Sequence, residues 1–112
     1  MIQTRRLHKV CTTTKTTLET FLFDLVGPGQ QFYVEAVALK PGSVNLTSWA
    51  FGVRTAGYDH WICGDTAPVN GEVNGLFPRC YLREGEMPII GLVEGTSGGS
   101  HDAYLTLSVK YG

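Results

Sequence analysis

Strand follows turn from one end of this chain to the other, and no stretch carries the 3.6-residue apolar spacing of an amphipathic helix. That excludes helical bundles and alternating strand–helix folds, and leaves antiparallel β architectures. The final strand is the plainest. Ala103, Leu105, Leu107, Val109 and Tyr111 alternate with Tyr104, Thr106, Ser108 and Lys110, the period of two expected of a half-buried strand. Residues 88–94 (PIIGLVE) are apolar on both faces and predict a central strand, with residues 95–102 (GTSGGSHD) as the flexible hairpin loop between the two.

Upstream, residues 17–26 place Phe21, Phe23 and Leu25 on one face, and 27–30 (GPGQ) turn the chain. Residues 31–39 then set Phe32, Val34, Ala36 and Ala38 inward and Glu35 outward, before a second turn at 40–43 (KPGS). Within 44–55 the apolar parity shifts from Val44/Leu46 to Trp49/Phe51/Val53, which predicts a bulge near Thr47–Ser48. A short strand at 60–63, a long turn-rich stretch at 64–75, a strand at 76–83 and a turn at 84–86 complete the middle. Residues 2–13 form a weaker opening strand, and the threonine-rich 12–17 segment reads as a polar edge or crossover. About eight strands predict an all-β fold, a two-sheet antiparallel sandwich, with Phe21, Phe23, Phe32, Val34, Leu105, Leu107 and Val109 in one core.

At 112 residues the chain is predicted to be a single domain, 1–112. Hydrophobic residues make up 43% and charged ones 17%, a balance that excludes disorder and leaves neutral surface for burial against other subunits. The charge is unevenly placed. Arg5, Arg6, Lys9 and Lys15 make the first fifteen residues basic, as an N-terminal arm or edge strand, whereas the remainder sets five basic residues against ten acids. Such an edge can contact an acidic neighbour, or can block unwanted strand pairing. Four cations without an aromatic platform argue against nucleic acid. No apolar run approaches the roughly 18 residues of a membrane helix. Cys11, Cys63 and Cys80 form an odd, widely spaced set, and no apolar export segment follows Met1, so reduced thiols and cytoplasmic production are expected.

Catalytic signals are weak. Ser100-His101-Asp102 has the letters of a hydrolase triad, but neighbours in extended chain point to alternate sides and cannot form the relay. His60, Cys63 and Cys80 lack a close-spaced pair, and a fourth zinc ligand would have to be Cys11 or Asp65. Residues 95–99 lack the lysine and helix of a phosphate loop. No catalytic residue, metal or cofactor is therefore expected. Tyr58, His60 and Trp61 remain as aromatics able to stack on a sugar or anchor a partner. Trp49 and Phe51 are assigned to the core, and Trp61 fits either role.

Two stretches carry a resemblance. Residues 18–39 (LETFLFDLVGPGQQFYVEAVAL) resemble the strand–PxG–strand opening of small jelly-roll virion accessory proteins of tailed phages, of the capsid-decoration and head-fibre type. Residues 82–86 (LREGE), followed by IIGLVEG and an alternating strand, resemble the entry to the last hairpin, a device also found in trimeric jelly rolls of the tumour-necrosis-factor and complement type. The resemblance implies a jelly roll that forms a homo-oligomer, with a trimer favoured. It further implies a non-enzymatic subunit that binds a major capsid or other virion protein, or a tail lattice, after assembly in the host cytoplasm. The alternative reading is a carbohydrate- or receptor-binding sandwich with Tyr58, His60 and Trp61 on the glycan; a metal-dependent cupin ranks last, since three scattered histidines cannot build its site.

Overall fold

The structure, a computed structural model, describes residues 2–43, 45–66 and 68–111. It contains β1 (Ile2–Thr12), β2 (Glu19–Leu22), β3 (Gln30–Lys40), β4 (Leu46–Thr55), β5 (Tyr58–Thr66), β6 (Asn74–Leu76), β7 (Cys80–Leu82), β8 (Met87–Glu94) and β9 (Ser100–Tyr111). Sheet A runs β1-β9-β3-β6, with β7 also on β3, and sheet B runs β2-β8-β4-β5. Every pairing is antiparallel. With β6 and β7 counted as one broken strand, two four-stranded sheets wind in jelly-roll order.

The strongest sequence signals hold. β9 buries Ala103, Leu105, Leu107 and Val109 completely, and β8 lies buried between β2 and β4. Phe23, Phe32, Val34, Leu105, Leu107 and Val109 join Trp49 and Phe51 in one core, with Phe21 packed against it half-buried. The expected bulge in β4 is present, as a register shift between Leu46 and Ser48 against β8. Val44 lies outside the described residues.

Four local expectations are corrected. In β3 a second bulge falls at Glu35, so the inward set changes from Phe32/Val34 to Val37/Leu39, leaving Ala36 and Ala38 half-buried. The strand expected over 17–26 pairs only through Leu22. Beyond it Phe23 and Val26 are buried, three residues apart, and Leu25 is exposed. The strand expected over 76–83 is split because Pro78 has no N–H to give the ladder and Arg79 sits at φ 48, opposite the Glu35 bulge. Finally, β5 is nine residues long, joined to β4 by a two-residue turn in which Ala56 and Gly57 both have positive φ (51 and 83). That geometry suits the twist of a hairpin.

Candidate functional site

β1 is an edge strand whose register with β9 decides where its charges go. Arg6, His8 and Val10 lie opposite Thr106, Tyr104 and Asp102, on the outer face of sheet A. Arg5, Lys9 and Cys11 lie opposite Leu107, Ala103 and His101, on the core side. Arg5 donates to the Tyr111 hydroxyl at 2.7 Å. Cations on the inner side of an edge strand hinder another strand from adding to it, so Arg5 and Lys9 act at least partly as guards. Lys15 stands apart, exposed in the bend after β1. The basic set is thus divided between two faces. Burial pushes the Cys11 thiol up to about 11, which removes it from ordinary thiolate chemistry.

The aromatic trio on β5 is divided too. Trp61 pairs with Gly52 and Asp59 with Arg54, on the outer face of sheet B, whereas His60 pairs with Val53 on the opposite side, which Tyr58 shares. Tyr58 is 73% exposed. No one ligand face can meet all three. Trp61, 38% exposed, lies flat across the sheet: a Cβ at Gly52 would sit 2.8 Å from its ring, and one at Gly91 only 2.6 Å. Ile89 shares this outer side by alternation and is fully buried, though outside the main core. Trp61 therefore covers a small second apolar layer built on glycine. Replacing Gly91 with Val should displace the indole and lower the melting temperature by a loss of roughly 1–3 kcal/mol, the range for overpacking. Tryptophan fluorescence shifted to the red would report the displacement, and an unchanged spectrum and melting point would refute this packing.

Arg54 and Asp59 form a paired contact at 2.7 and 3.1 Å, and the hydrogen bond from Arg54 lowers the Asp59 pKa. Cys63 and Cys80 pack against the core from facing sheets as free thiols. Burial raises both, and Cys63 adds to the rise at Cys80. Among the described residues no three His, Cys, Asp or Glu side chains come together as metal ligands.

Ser100-His101-Asp102 belongs to β9 rather than to the loop, and alternation separates the three. His101 points inward, fully buried, and meets the equally buried Glu94. Its Nδ1 accepts from the Gly42 N–H at 3.1 Å, so Nε2 carries the proton and donates to Glu94 Oε1. Thr13 donates to the same oxygen at 2.8 Å. Burial pushes the Glu94 carboxyl up, but the hydrogen bonds from His101 and Thr13 outweigh it and hold the group below the usual carboxylate range. This polar knot ties the end of β1, the β3–β4 loop, the end of β8 and the start of β9. In the sequence it looked like a glycine-rich loop, and only the pairing of Cys11 with His101 reveals it.

The outer face of sheet A also escaped sequence reasoning. Its exposed side chains come from strands far apart in the chain: Tyr33 on β3 meets Tyr81 on β7 with ring centroids 4.7 Å apart. Toward the other end, His8 stacks on Tyr104 at 4.7 Å and bonds Asp102 at 2.8 Å. Tyr104 was visible as an outward residue; its company was not.

The sequence matches no described protein family and no curated protein. The fold does have counterparts. A subunit of the disulfide-linked pili that form Bacillus endospore appendages superposes with a TM-score of 0.58 at 11% identity, over 98% of this chain and 88% of that one. A protein in the structure of infectious bursal disease virus, Gx strain, gives 0.50 at 11% identity, over all of this chain but 32% of that longer one. At such identities the likeness establishes the jelly-roll fold alone. Among the described residues no helix is long and apolar enough to cross a membrane.

Proposed function

We propose that this protein is a non-enzymatic structural subunit that associates with copies of itself and docks on a larger virion lattice, in a decoration or accessory role. The observation that carries this reading is the pair of long, unshared strand edges. β1 offers eleven residues and β5 nine, each ending its sheet, and β5 lies beside β7 on the side of the sandwich away from β1. β1 is basic, and β5 bears Asp65, with Asp59 already held by Arg54, so the contact is one of side-chain charges rather than an added strand. A contact between unlike edges of successive copies is head-to-tail: it closes into a ring, a trimer being expected, or continues as a filament. The pilus and capsid likenesses support an assembling role in general, without choosing between appendage and virion.

β1 fills eleven register positions of sheet A, so removing it would unmake the sheet. Single charge reversals test the edge instead. Light scattering of the free protein is expected to give an oligomer that Arg6→Glu shifts toward monomer, that added salt weakens, and that Arg6→Glu with Asp65→Lys recovers. Co-sedimentation with virus particles tests the docking. A strict monomer that pellets with no particle would end the proposal.

A further inference from the structure

We infer that the outer face of sheet A is a binding site for an acidic oligosaccharide, independently of whether the edges assemble. Tyr81 and Phe77 are 66% and 68% exposed, and Tyr33 lies between them, lining both the groove shared with Tyr81 and the one shared with Phe77. Aromatic rings left in water are costly, and their flat apolar faces match the C–H faces of sugar rings. The groove beside Tyr81, about 440 Å³, is lined by Tyr33, Ile2, Gln31, Ser108 and Lys110, where an amide, a hydroxyl and an ammonium suit sugar hydroxyls and carboxylates and the apolar side chains suit the C–H face.

Two departures from regular structure converge here. The Glu35 bulge and the left-handed Arg79 both line the adjoining groove with Tyr33 and Phe77. Bulges and strained non-glycine residues collect where a face must re-aim side chains for a ligand. The face is also long. Tyr104, stacked with His8, stands four residues along β9 from Ser108, about 14 Å away, with Thr106 between. That layout suits a chain of several rings rather than one sugar.

Charge selects the kind of sugar. Arg6, Lys40, Arg79 and Lys110 outnumber Glu35, Glu84 and Asp102 here, although residues 16–112 carry five basic residues against ten acids. A cationic face on an anionic body favours carboxylated or sulfated rings. Along β9 the short polar Thr106 and Ser108 separate Tyr104 from the Tyr33–Tyr81 pair, whereas Ile2 and Ala36 are the apolar residues that line the two grooves.

Calorimetric titration of the 112-residue protein with hexagalacturonate, a heparin hexasaccharide, maltohexaose and oligo-dT tests the assignment. At least one acidic hexasaccharide should bind, about tenfold or more tighter than maltohexaose, and added salt should weaken it. Tyr81→Ala and Lys110→Glu should each weaken binding about tenfold with the melting point retained, and Tyr81→Phe should preserve it. Binding of neither acidic probe, equal binding of maltohexaose or oligo-dT, or indifference to both substitutions would overturn the inference. Dissociation of the oligomer by Tyr81→Ala, without loss of sugar, would mark the face as a subunit interface and overturn it too.

Discussion

Replacing His101 with Ala is expected to destabilise the fold by about 3–5 kcal/mol, the usual result of leaving a buried charge, here the Glu94 carboxylate, without its partner. Glu94 would keep its buried position and lose its main donor, and its Oε2 already has no hydrogen-bond partner among the described residues. The Gly42 N–H would lose its acceptor as well. Relaxation is hard because Gly99 packs against the carboxylate so closely that even a Cβ there would lie 2.6 Å from both oxygens. Chemical denaturation should show the loss as a lower midpoint at unchanged slope. A loss under about 1 kcal/mol would mean that the knot is solvated and contributes little.

The same knot gives the fold an acid limit. Glu94 is held below its unfolded value, near 4.3 for a free glutamate. A depressed carboxyl stabilises the native state at pH above the unfolded value, and that stabilisation disappears as pH falls through the lower native one. Melting temperature should therefore be flat near neutrality and fall steeply in acid, and Glu94→Gln should flatten that acid limb. A Glu94→Gln profile parallel to that of the parent would locate the acid sensitivity elsewhere.

Leu107→Ala should cost roughly 2–5 kcal/mol, because Leu107 is fully buried on the central strand of sheet A and its removal leaves a cavity between the sheets. Thermal unfolding should register this as a fall of roughly 4 °C or more per kcal/mol. The neighbouring Ser108→Ala, on the opposite side of the same strand, should cost little. A comparable loss at both positions would place β9 in a different register, since a one-residue slip exchanges its faces.

What the sequence disclosed, and what it withheld, follows from the range of the interactions involved. β9 and β8 were legible because burial imposes a local pattern, alternation on one and a continuous apolar run on the other. The β4 bulge was legible for the same reason: it shifts apolar parity within a few residues. The bulge in β3 was not, because Val34-Glu35-Ala36-Val37-Ala38 offers apolar residues in either parity, and pairing with β9 chose between them. The candidate surfaces were least legible. Tyr33 and Tyr81 are 48 positions apart and meet only because β7 pairs with β3. Tyr58, His60 and Trp61 are close in sequence and yet point apart, because the strand that unites them alternates. His101 looked like part of a flexible loop, and became a buried anchor because β9 begins at Ser100, three residues earlier than the loop expected over 95–102 allowed.

The order in which the strands are threaded has a consequence for how this protein is made. The middle of sheet B is β8 and the middle of sheet A is β9, yet these are the last two strands to leave the ribosome. Until they emerge, β1 has no neighbour to hold it, β2 has none either, and β3 and β4 each lack one flank. A nascent chain of more than eighty residues must therefore wait with its apolar edges unsatisfied, and then close both sheets around one incoming hairpin. Folding of this kind is non-local, slow and exposed to self-capture during the wait.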